Sequence, residues 1–66
     1  MNYAEMFIGY NKEEDHRILI CAHDIEEAQE LAEEYRYDVH LDGGFDIKKV
    51  QGGIDDIHFD CEYVIV

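Results

Sequence analysis

The 66 residues of this chain leave room for one modest hydrophobic core and no second domain, since a chain this short buries only about 60% of its unfolded surface. Apolar side chains make up 47% of it and eight residues are Tyr or Phe, which excludes a disordered acidic tail. Seventeen acidic against five basic side chains give a formal charge of −12. That field excludes bare DNA, RNA and anionic membrane as partners and favours a basic surface on another protein.

In chain order the sequence reads β-β-α-β-β, an α+β fold in which one helix packs on one face of an antiparallel sheet. Ala4, Met6, Ile8 and Tyr10 alternate with Tyr3, Glu5 and Phe7, the period-two signature of a strand. Residues 11–15 form a polar turn. Residues 16–22 follow as a nearly continuous apolar strand, covered on both faces or central in its sheet. Asp24 is a good N-cap, Glu27 completes an arrangement like a capping box, and Ile25, Ala28, Leu31, Ala32 and Tyr35 recur at helical spacing. The spacing predicts a helix over residues 25–37, about 20 Å long at about 1.5 Å per residue. A short alternating piece over 39–42 ends at Gly43-Gly44, a turn that precedes a third strand over 45–50. After Gln51-Gly52-Gly53, residues 57–66 alternate as a final strand with the odd positions, Ile57 to Ile65, facing inward.

The helix carries the least ordinary feature. Glu26, Glu27, Glu30, Glu33 and Glu34 fill its non-core positions with no cation before Arg36. Glu26–Glu30 and Glu30–Glu34 are then like-charge pairs at i,i+4, where Glu-Lys alternation would stabilise the helix instead. The helix dipole favours Glu26 and Glu27 near the N-terminus but not Glu33 and Glu34. This face is more negative than stability alone would select, and Asp38, Asp42 and Asp46 continue it. Asp55, Asp56, Asp60 and Glu62 add a second patch. A row of carboxylates can stand where phosphates stand in the positive groove of a nucleic-acid-binding protein. The plainer alternative is a solvated face that only confers solubility.

Catalytic chemistry finds no foothold in the sequence. There is no Ser or Thr, and Cys21 and Cys61 sit at apolar strand positions where buried, inert thiols are the expectation. Cys21 with His23, and His58 with Asp60, are two residues apart, but no Cys-x-x-Cys or His-Glu-x-x-His motif anchors a metal. The glycine pairs match no phosphate loop. The expectation is a non-enzymatic chain without catalytic, cofactor-binding or metal-binding residues. Two cysteines outside any framework, no basic leader and no apolar run longer than Ile18 to Ala22 point to a cytoplasmic protein.

At His23-Asp24-Ile25-Glu26-Glu27-Ala28, after an Ile-rich strand, and at Phe59-Asp60-Cys61-Glu62-Tyr63, the chain resembles the small DpnD/PcfM-type proteins of phages and conjugative elements. In size and acidity it is also similar to phage-encoded inhibitors of host defence, among them anti-CRISPR proteins that imitate DNA. These resemblances imply a mobile-element origin and a bacterial host cell. Together with the charge pattern they lead to an acidic inhibitor whose Glu26, Glu27, Glu30, Glu33, Glu34 and Asp38 enter a basic nucleic-acid channel of a host effector. The rival expectation is a small interaction or homodimerisation module. If the helix covers one sheet face only, Tyr3 and Phe7 with the terminal strand would form its interface.

Overall fold

A computed structural model describes residues 4–51 and 63–66. It contains β1 (Glu5–Asn11), β2 (His16–Ala22), α1 (Ile25–Val39), β3 (Asp46–Lys49) and β4 (Val64–Ile65). The α+β class is as the sequence indicates. The strands form one sheet in the order β3-β1-β2-β4, and α1 packs on one of its faces. β1 pairs antiparallel with both β2 and β3, whereas β4 runs parallel to β2, so the sheet is mixed rather than antiparallel. α1 carries the chain across the sheet from β2 to β3, which runs in the same sense as β2, and β4 pairs on β2's other side in that sense again.

α1 begins as the sequence dictates. The Asp24 carboxylate accepts the Glu27 N–H at 2.8 Å, and the Glu27 carboxylate reaches back to the His23 N–H at 3.2 Å, one residue further than in the usual box. The helix runs two residues beyond the expected end. His40 then adopts the left-handed conformation (φ 58) and its N–H bonds the Arg36 carbonyl, a closure normally given to glycine. Val39 is therefore helical, and the alternating piece expected over 39–42 is a cap and turn.

The core lies between α1 and the sheet: Phe7, Ile18, Ile20 and Ala22 face Ala28 and Ala32, with Leu31, Tyr35, Phe45, Ile47 and Val66 packed around them. This corrects the expected face of the first strand. Phe7, only 2% exposed, lies under the helix and not on an open face. Tyr3, the other half of that expected interface, lies outside the described residues. Phe7 shares its side of β1 with Gly9 and Asn11, and a Cβ on Gly9 would stand 2.8 Å from Ile18 and 3.0 Å from Ile47. The missing side chain lets the flanking isoleucines close over β1. Asn11 is fully buried, not a turn residue in solvent. Its amide donates to the Asp42 carbonyl at 2.9 Å and accepts from the Glu14 N–H at 2.8 Å, tying the hairpin turn to the loop after α1.

Two further expectations shift. Cys21 is exposed, because Ile18, Ile20 and Ala22 take the helix side of β2 and alternation turns Cys21 away. In β4 the inward parity is even, not odd, at the chain end. Val66 packs on the core while Ile65 is 84% exposed, paired in register with Leu19 on the far face. Residues 57–62 of the expected final strand, and the acidic patch they share with Asp55 and Asp56, lie outside the described residues.

Candidate functional site: the acidic face of the helix

Ala28 and Ala32 set the orientation of this face. Both are buried against the sheet, and their small side chains bring the helix close to it. The opposite side of α1 is thereby directed outward. Of the six acidic residues expected there, Glu26, Glu30, Glu33, Glu34 and Asp38 are exposed and Glu27 is half-buried.

The structure divides these six by what they bond. Glu27 is engaged at the helix start, where its carboxylate also lies 3.3 Å from His23 Nδ1. Glu33 accepts from Arg36 Nε at 3.0 Å and also pairs with Arg36 Nη2. That hydrogen bond holds the Glu33 carboxyl below the usual range and raises the guanidinium above its own. Arg36 in turn donates to the Leu41 carbonyl at 3.3 Å, so the helix's single cation is spent on its C-terminal turn. Glu26, Glu30, Glu34 and Asp38 have no ion pair or side-chain hydrogen bond among the described residues.

These four fall at i, i+4, i+8 and i+12 and so make one ridge. It is inclined about 26° to the helix axis, with neighbouring Cβ atoms about 5–6 Å apart. The ridge is about 18 Å long at about 1.5 Å per residue and offers one carboxylate per about 6 Å. One strand of duplex DNA places a phosphate every ~3.4 Å. The unneutralised ridge therefore has roughly half the linear charge density of a DNA strand. Near the C-terminal end, Glu30, Glu33, Glu34 and Asp38 rim a shallow, open depression with Tyr37. The Tyr37 ring is 77% exposed. The Tyr35-Arg36-Tyr37 run at the helix end reads in sequence as core and rim rather than recognition. The signal was positional: Tyr35 takes the core side against His16 and Phe45, which turns Tyr37 outward.

No other arrangement of reactive groups emerges among the described residues. In them no group of three or more His, Cys, Asp or Glu is placed to hold a metal ion. Cys21 belongs to the far sheet face, while His23 sits by Glu27 at the helix start. No helix of the described residues is long and apolar enough to cross a membrane. No protein-family model, curated protein or solved structure matches the chain.

Proposed function

We propose that this chain is a non-enzymatic acidic binding protein whose helix ridge occupies a basic, nucleic-acid-binding groove of another protein and thereby competes with nucleic acid. The observation that carries the reading is the ridge itself. Glu26, Glu30, Glu34 and Asp38 lie in line on the outer side of a capped, well-packed helix, with no neutralising cation among the described residues. Charges held this way by a rigid helix need little ordering when a partner binds, which favours affinity. The exposed Tyr37 ring beside them offers a face on which an arginine of the partner can stack. The mobile-element origin suggested by the helix start at 23–28 belongs to the same proposal, with a host defence or nucleic-acid effector as the partner and the bacterial cytoplasm as the setting.

The test is capture from host lysate with the wild-type chain and a variant carrying Glu26→Gln, Glu30→Gln, Glu34→Gln and Asp38→Asn, both shown to be folded by circular dichroism. The wild type is expected to retain a basic nucleic-acid-binding protein that duplex DNA displaces and the variant does not retain. Binding should weaken steeply as salt shortens the screening length from about 30 Å at 0.01 M to about 8 Å at 0.15 M. Capture that is absent, indifferent to DNA or equal for the variant sinks the proposal.

A further inference from the structure

The loop between α1 and β3 holds a junction that neither the ridge nor the core uses. Asp42-Gly43 is the one place in the sequence where an aspartate or asparagine precedes glycine, and both residues are exposed. The Gly43 N–H makes no hydrogen bond among the described residues. The Asp42 carboxylate likewise has no hydrogen bond or ion pair among them, although it lies in the field of Arg36. Its main-chain carbonyl, by contrast, is held, accepting from the buried Asn11 amide at 2.9 Å.

The fold requires glycine at this place. Gly43 has a φ of 78, and a Cβ there would run into Glu13 Cγ. The nitrogen after Asp42 is therefore unscreened by a side chain. The other described aspartates, Asp15, Asp24, Asp38 and Asp46, precede His, Ile, Val and Ile, whose side chains crowd the following N–H.

We infer that Asp42-Gly43 is a site of spontaneous covalent modification, where the main chain isomerises to isoaspartate and disturbs the tie between the helix exit and the β1–β2 hairpin. The Gly43 nitrogen attacks Cγ of the Asp42 side chain in its neutral acid form. A Cγ–N bond forms, and the carboxyl hydroxyl leaves with the N–H proton as water, closing a five-membered succinimide. The reacting atoms are neighbours in one residue pair, so the step is intramolecular. Water then adds to the ring. Addition at Cγ restores aspartate. Addition at the Asp42 main-chain carbonyl carbon breaks its bond to nitrogen, leaving a free carboxylate there and routing the main chain through Cβ and Cγ.

Mass and net charge are unchanged, so the inference is independent of the ridge and its partner. The consequence is local. The main chain gains one carbon between Asp42 Cα and Gly43 N, and the negative charge moves from an exposed side chain to the atom that Asn11 binds. Asn11 is fully buried, and a charge brought to its side loses water without gaining a cation.

The test holds the full chain at physiological temperature and neutral pH for several weeks. Electron-transfer mass spectrometry of its digests then tells isoaspartate from aspartate at each position. Isoaspartate is expected to accumulate at position 42 at least about tenfold faster than at Asp24, Asp38 and Asp46, because only Asp42 precedes a residue without a Cβ. Asp42→Glu keeps the charge and the main-chain carbonyl but must close a six-membered ring, and it should abolish the signal at 42. The isomerised fraction, separated by reversed-phase chromatography and refolded, should unfold at a urea midpoint lower by about 1 M. Isoaspartate absent from position 42, or no faster there than at the other aspartates, overturns the inference. An isomerised fraction with the midpoint of the fresh chain overturns the link to Asn11.

Discussion

Replacing Glu30 with lysine should stabilise the protein and weaken the proposed binding at once. Glu30 sits at the middle of the ridge, four residues from both Glu26 and Glu34, and nothing among the described residues offsets it. Each like-charge i,i+4 pair costs about 0.2–0.5 kcal/mol and each opposite pair gains a similar amount. Glu30→Lys removes two repulsions and creates two attractions. The pair with Glu34 has the less favourable orientation, cation before acid, so the net gain is about 1 kcal/mol. Glu30→Gln removes the repulsions only and should gain about half of that. Glu, Gln and Lys have nearly equal helix propensity, so the ranking isolates charge. For a domain of this size about 1 kcal/mol corresponds to a rise in Tm of about 4–8 °C. Thermal unfolding followed by circular dichroism at low salt should rank the lysine variant above the glutamine variant and both above wild type. The three should converge near ~0.5 M salt, where the screening length is only a few ångströms. If Glu30→Lys leaves Tm unchanged or lowers it at low salt, the ridge is not the unneutralised surface described here. If the gain persists at high salt, its origin is not charge.

Two further changes probe the frame that holds the ridge. Asn11→Ala should cost about 2–3 kcal/mol, since it strands the Glu14 N–H and the Asp42 carbonyl. At a urea slope of about 1 kcal/mol/M, that lowers the urea midpoint by about 2–3 M. Asn11→Asp should be worse at pH 7, because a carboxylate replaces a donor facing the Asp42 carbonyl, and it should partly recover in acid. Equal midpoints for the two variants at pH 7 would contradict the assigned bonds. Tyr10 donates to Asp15 at 3.0 Å, and this hydrogen bond raises the phenol's pKa. A raised folded pKa gives stability that is full below the unfolded value of about 10 and lost as pH rises through the folded one. Ultraviolet titration should show the Tyr10 ionisation moved to lower pH by Asp15→Gly, a change that tolerates the positive φ of 51 at this position. An unchanged curve would remove that assignment.

What the sequence disclosed follows a physical division. The helix and its cap were legible because Asp24, Glu27 and the Ile25–Tyr35 spacing act within one element. Its true end was not, since His40 in the left-handed conformation carries no marker comparable to glycine. The face of β1 was misread for a clear reason. Hydrophobicity favours Met6, Ile8 and Tyr10, yet the helix covers Phe7, Gly9 and Asn11. Gly9 is buried for its absence of bulk and Asn11 for its hydrogen bonds, and neither reason registers as apolar periodicity. The parallel pairing of β4 with β2 joins Val64 to Ile18, positions far apart in the chain, and no local pattern encodes it. At the site, the six acids were evident from sequence. Their division into two that are hydrogen-bonded, Glu27 and Glu33, and four without a partner among the described residues depends on the geometry of His23 and Arg36.

That division makes the ridge a consequence of the fold as well as of composition. Arg36 is the only basic residue in the last turn of α1, and it is committed to Glu33 and to the Leu41 carbonyl. It therefore secures the helix's exit from the sheet and leaves Glu34 and Asp38 uncompensated. At the other end the His23 N–H donates to Glu27 at 3.2 Å, and Glu26 has no such partner among the described residues. The helix's one cation is thus used at the C-terminal end of α1, where it fixes the stop. Lys49 pairs with Glu5 at 2.8 Å within the sheet, so it is not available to the helix either. A chain selected for stability alone would place a lysine at position 30 and relieve two repulsions. Under the proposed function, the Glu30 charge is directed at the partner and its repulsion with Glu26 and Glu34 is the accompanying cost in stability.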